Sequence, residues 1–111
     1  MAAGCLEERA RPGPPSLDFT LDDTQVRTGP PADTVAGTIR AEDFDGLDSV
    51  WVEVDGVVKG EDAGLDQVFS SRFLFLIATG KTPGTSIPVI LRARDVAGFE
   101  VSRDTHVVVV P

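Results

Sequence analysis

TVAGTIRAEDFDGLDSVWVEVDG, residues 34–56, is the stretch on which the fold turns. It holds two alternations separated by an Asp- and Gly-rich corner. Val35, Gly37, Ile39 and Ala41 alternate with Ala36, Thr38 and Arg40, the period-2 pattern of a half-buried strand. Val50, Val52 and Val54 then alternate with Trp51, Glu53 and Asp55. Burying both carboxylates would be costly, so the valines must face inward. That parity assigns Trp51 to the outside. Asp55-Gly56, between Val54 and Val57, is a two-residue hairpin signal of type I′, which needs φ > 0 at both central residues.

Working outward, the same grammar continues. A first strand is expected at Leu17–Leu21 and a further piece near Val26. Residues 60–67, with Asp62, Gly64 and Asp66, read as a loop. Val68–Ile77 reads as a long strand with Phe69, Phe73, Phe75 and Ile77 inside. After a Gly/Pro loop at 79–86, Val89, Leu91 and Ala93 point inward and Ile90, Arg92 and Arg94 outward. Residues 95–98 turn the chain into a last strand over 100–110. About seven strands with turn signals every 8–12 residues and no helix longer than a turn predict an all-β, two-layer antiparallel sandwich. Residues 1–16, with Pro12, Gly13, Pro14 and Pro15 behind a charged run, carry neither period and read as an extended tether, leaving 17–111 as the domain.

Composition narrows the function. A chain of 111 residues buries roughly 65% of its unfolded surface without a disulfide or metal staple. Ten Lys and Arg against eighteen Asp and Glu leave a net charge of -8, the wrong sign for neutralising phosphates, so no nucleic-acid partner is expected. No apolar run approaches the roughly 18–20 residues that cross a bilayer as a helix, so the chain as written reads as soluble. One His, one Cys and no Tyr leave most catalytic constellations without parts.

The segment 34–56, followed later by PVILRARDVAGFEV (residues 88–101), resembles the bacterial immunoglobulin-like (Big-type) modules of cell-envelope and secreted proteins. Gly37, Ala41, Asp43, Asp45, Gly46, Ser49, Val50, Val52, Val54, Asp55, Gly56, Ala93, Asp95, Ala97 and Gly98 carry the match. The resemblance implies an immunoglobulin-like sandwich of the branch without a disulfide. Ala-Ala-Gly-Cys at residues 2–5 is similar to a lipoprotein-processing box, which implies a lipid on Cys5 as the one route to a membrane, with the tether behind it.

Other motifs carry less. Asp43, Asp45 and Asp48 place oxygens as a calcium ion wants them, but the EF-hand spacing fails because Leu47 and Asp48 stand where a ligand and the obligatory Gly belong. Asp-Gly turn chemistry accounts for the segment better, and no metal or cofactor is expected. Gly80-Lys81-Thr82 lacks the first glycine of a phosphate loop and is followed by Pro83. His106 has no triad around it in the sequence. Acidic residues crowd positions 42–66, where Lys59 is the one cation, as solvated loops or as a lure for a basic partner.

The expectation is a monomeric, non-enzymatic structural or adhesive module of the bacterial cell envelope or exterior, with another protein or a polysaccharide as partner. The alternatives are a carbohydrate- or protein-binding module using a face of Trp51, Ile90, Arg92 and Arg94, with His106 as a further neighbour, and a spacer domain of a larger secreted protein. An Arg stem stacked on the exposed indole is the expected feature of that face.

Overall fold

The two alternations become consecutive strands that lie in different sheets. The computed structural model describes residues 13–27, 33–77 and 80–111. Among these are eight strands: β1 (Ser16–Leu21), β2 (Gln25–Arg27), β3 (Thr34–Glu42), β4 (Leu47–Val54), β5 (Val57–Asp62), β6 (Val68–Leu76), β7 (Ser86–Asp95) and β8 (Glu100–Val110). One sheet has the order β1-β3-β6, the other β2-β8-β7-β4-β5. Every pairing is antiparallel except β2 with β8. With a single Cys in the sequence, no disulfide can form within the chain.

Alternation decides what each strand buries. Val35, Ile39 and Ala41 of β3 meet Val50, Val52 and Val54 of β4 and Val89, Leu91 and Ala93 of β7 in one continuous core, with Phe73 and Phe75 from β6 and Val107 and Val109 from β8. The expected inward sets of β3, β4, β6 and β7 are therefore the observed ones, with Phe69 half-buried. Gly37 is glycine because the sheet closes there: a Cβ would overlap the Thr20 carbonyl oxygen and lie 2.8 Å from the Phe73 ring. At the β4–β5 hairpin Asp55 has φ 52° and Gly56 φ 82°, the two left-handed residues that a type I′ turn demands.

Three expectations change. The strands number eight rather than about seven. The loop read at 60–67 begins later, because β5 runs through Gly60 to Asp62. Backbone pairing with β4, and no packed face, makes that strand, and a strand with no buried face writes no hydrophobic alternation into its sequence. At the front of the domain, Pro15 is buried and Ser16 already pairs with Glu42. The tether up to residue 12, including Cys5, lies outside the described residues.

The five-stranded sheet is wider than its three-stranded partner, so its β5 edge overhangs. Every β5 residue is exposed, although Val57, Lys59 and Glu61 have the inward parity, opposite Val54, Val52 and Val50. Polar contacts close the gap to β6: Lys59 Nζ donates to the Leu74 carbonyl at 2.8 Å and sits 4.7 Å from the Phe75 ring centre, and the Ser71 hydroxyl donates to Glu61 Oε1 at 2.9 Å. On the other long side Arg103 of β8 donates to the Leu17 carbonyl at 3.0 Å and lies over the Phe19 ring. Charged residues at such inward edge positions keep a sheet from pairing with further strands.

Candidate functional site

Trp51 stands on the outer face of the five-stranded sheet, one strand in from the β5 edge, half-buried, with its backbone opposite Arg92 of β7 on one side and Gly60 of β5 on the other. The β4 alternation fixes this orientation. Ile90 and Arg94 lie diagonally across, opposite Glu53 and Ser49, so the expected neighbours share one face with the ring. His106 does not join them: it pairs with Pro88, whereas the Trp51 row reaches β8 at Ser102. Among the described residues no guanidinium lies over the indole, so the cation–π part of the expected Arg stacking is not formed. Among the described residues the ring–cation contacts are Lys59 with Phe75 and Arg103 with Phe19. Arg94 leans toward the β7–β8 turn, its Nη2 within 4.0 Å of where a Cβ on Gly98 would stand.

The other flank of Trp51 is open. Because Gly60 brings no side chain, a shallow depression of about 450 Å³ lies beside the indole, lined by Val58, Gly60 and Asp62 of β5 and by Asp48, Ser49 and Trp51 of β4. Sequence reasoning placed the ring and missed the depression. The available signal was a glycine a few residues beyond a hairpin turn, where a strand continuing from the turn carries it alongside the Trp. A second, deeper cleft of about 200 Å³ runs between the β5 and β6 edges, walled by Ile39, Val50, Val52, Phe69 and Phe73 and spanned by the Lys59 and Ser71 contacts.

A third region lies at one end of the sandwich, where the β3–β4, β5–β6 and β7–β8 connections converge. Their backbones are tied together: Leu65 N–H donates to the Leu47 carbonyl, Val96 N–H to the Gly46 carbonyl, and the Gln67 side chain to the Phe44 carbonyl. Gly46, with φ 105°, is packed so closely that a Cβ would lie 2.6 Å from the Leu65 carbonyl oxygen. This frame holds out four apolar side chains: Phe44 (51% exposed), Leu65 (65%), Val96 (48%) and Phe99 (40%). Leu65 does so at φ 64°, a left-handed conformation that costs a leucine energy and that the surrounding hydrogen bonds impose. The tips come from three separate turns, Val96 and Phe99 sharing one, so no periodicity marks them in the sequence.

Beneath the tips lie two carboxyl groups. Asp43 Oδ1 accepts the Asp45 N–H at 2.8 Å, the local turn chemistry expected for this segment. Asp95, the last residue of β7, is 1% exposed; its Oδ1 accepts the Phe99 N–H, while its Oδ2 has no N–H or hydroxyl donor. What faces Asp95 is the Asp43 carboxyl, and two acceptors form a hydrogen bond only while one of them carries a proton. Burial pushes the Asp43 carboxyl above the usual carboxylate range, and the Asp95 and Asp45 carboxylates push the same way, against the Asp45 N–H. Asp48 is exposed on β4, where a register shift opens the strand, and its nearest side-chain partner is the Ser49 hydroxyl at 3.5 Å. Among the described residues, no group of three or more His, Cys, Asp or Glu side chains is arranged to hold a metal ion, and no helix is long and apolar enough to cross a membrane. Lys81, from the phosphate-loop look-alike, pairs with Asp55 at 2.8 Å.

No family model matches the chain, and no curated protein matches it. Among solved structures, the chain is similar to the crystal structure of Spo0M, a sporulation control protein from Bacillus subtilis, with a TM-score of 0.59 and 12% sequence identity. The match covers 90% of this chain and 51% of that one, so the chain spans about half of its structural relative. At this identity the likeness is one of fold.

Proposed function

We propose that the chain is a non-enzymatic, immunoglobulin-like module of a bacterial cell-envelope or secreted protein, and that it works by contact with another protein through the Phe44–Leu65–Val96–Phe99 end. The strand order supports the immunoglobulin-like part of this reading: β1, β3 and β6 stand where strands A, B and E stand, facing β4, β7 and β8 in the places of C, F and G. In that correspondence the β3–β4 and β7–β8 turns are the loops that carry the contact residues of antibody variable domains. The envelope address rests on the resemblance around Cys5.

The observation that carries the contact role is the four apolar side chains held out by three mutually bonded loops, one of them at a backbone conformation that a leucine adopts only under constraint. Solvent gives no reason to expose Leu65, Val96 and Phe99 on one frame, whereas a partner that buries them does. The test is binding of the labelled chain to bacterial envelope fractions. Saturable binding is expected, weakened at least tenfold by Phe44→Ser with Phe99→Ser while the melting temperature holds. Binding unchanged by the double substitution contradicts the assignment.

The Trp51 face supports a second contact surface on a different observation, the open flank at Gly60.

A further inference from the structure

Gly60 has no structural reason to be glycine. Its φ is not left-handed, and a Cβ placed on it would lie 3.4 Å from Trp51 Cβ, an ordinary contact. A glycine inside a strand weakens that strand, and where neither backbone nor packing asks for it, it marks a place that another group approaches. Here it leaves one flank of the indole bare, on a strand whose outer side meets no further strand among the described residues.

The lining shows what would approach. Trp51 and Val58 give an apolar wall, and Asp48 and Asp62 a carboxylate rim. Asp62 Oδ1 already accepts the Gly64 N–H at 2.7 Å, and among the described residues neither carboxylate has an ion-pair partner. Among the described residues, Lys59 reaches across to Leu74 and Arg94 leans over the β7–β8 turn, while Arg92 stands opposite Trp51 on its other flank. An aromatic face beside unpaired carboxylates suits a cation on an aliphatic stem, which packs its methylenes on the ring and brings its charge to the rim. A neutral sugar needs several ring platforms and a mix of donors and acceptors, and this rim supplies mainly acceptors.

We propose that the depression between Trp51 and Gly60 binds a lysine or arginine side chain from a basic segment of a partner protein. The proposal rests on the reading of the chain as a contact module, and it concerns a surface separate from the loop end.

Hexalysine serves as the probe, titrated into the full chain at low salt and followed by Trp51 emission, the sequence having no other Trp and no Tyr, and by calorimetry. Saturable binding is expected. Gly60→Val, which fills the depression with a strand-favouring side chain, is expected to weaken it at least tenfold while leaving the melting temperature equal or higher. Asp48→Asn with Asp62→Asn is expected to weaken it at least fivefold, which keeps the test valid should the valine variant fold poorly. Phe44→Ser with Phe99→Ser is expected to bind hexalysine as the parent does, so loss of envelope binding and loss of hexalysine binding report on different surfaces. Absence of saturation, saturation by cellohexaose in place of hexalysine, or unaltered affinity in both the valine and the asparagine variants overturns the proposal.

Discussion

Both neighbours of β4 pair with it over most of their length, yet they have opposite fates. β7 alternates buried and exposed side chains, with Val89, Leu91 and Ala93 fully enclosed, whereas all six residues of β5 lie in solvent. The hydrogen-bonding partner is the same. The difference is what stands opposite: β7 faces the three-stranded sheet, and β5 overhangs its edge. Pairing makes a strand, but only an opposing layer gives it a core, and a strand freed from packing is free to carry a recess such as that at Gly60.

Replacing Leu91 by Ala should show the packed side of this contrast at full size. The side chain is wholly buried, so a loss of about 3 kcal/mol, or roughly 12 °C in melting temperature, is expected from calorimetric unfolding. A loss under about 1 kcal/mol would mean that β7 is not the centre of the core.

The inner end of β7 makes a subtler test. Asp43→Asn keeps the acceptor for the Asp45 N–H and offers an N–H to the orphaned Asp95 Oδ2, so a gain of about 1 kcal/mol near neutral pH is expected. The pH dependence should change with it. Asp43 is raised by folding, so its contribution to stability is complete below the ordinary carboxylate value and fades as pH rises through the raised value. Asp33 runs the other way: the N–H groups of Arg27 and Thr34 hold its carboxyl below the usual range, and its contribution is present above the ordinary value and lost as pH falls through the lowered one. Denaturant titrations across the acid range should therefore show Asp43→Asn removing the rise in stability on mild acidification while leaving the loss at lower pH. A variant that is less stable at neutral pH would contradict the Asp43–Asp95 contact.

Val57→Ala probes the overhanging side. Val57 has the inward parity and remains 56% exposed, so the expected cost is within about 0.5 kcal/mol, several times less than at Leu91. A cost like that at Leu91 would place β5 under cover that the packing does not show.

The same contrast explains what could be read from the sequence. β3, β4, β6, β7 and β8 each bury one face, and burial writes a period of two that reads directly as Val50, Val52, Val54 or Phe73, Phe75. Trp51 followed from the same parity because Glu53 and Asp55 pin it. β5 left no such mark: Gly60, Glu61 and Asp62 look like a loop because the strand that carries them has no packed face. The Arg–Trp stack was not legible, because register places Arg92 opposite the ring without fixing its rotamer. Phe44, Leu65, Val96 and Phe99 could not be grouped at all, since the topology, and no local pattern, brings three separate turns to one end.

The most direct test of the open Trp51 flank is the emission and acrylamide quenching of Trp51 in the parent chain and in Gly60→Val. A red-shifted, readily quenched indole in the parent and a blue-shifted, protected one in the valine variant are the expected pair. A parent chain already blue-shifted and protected, with no change on filling position 60, would show that the flank is covered and that no recess exists beside the ring.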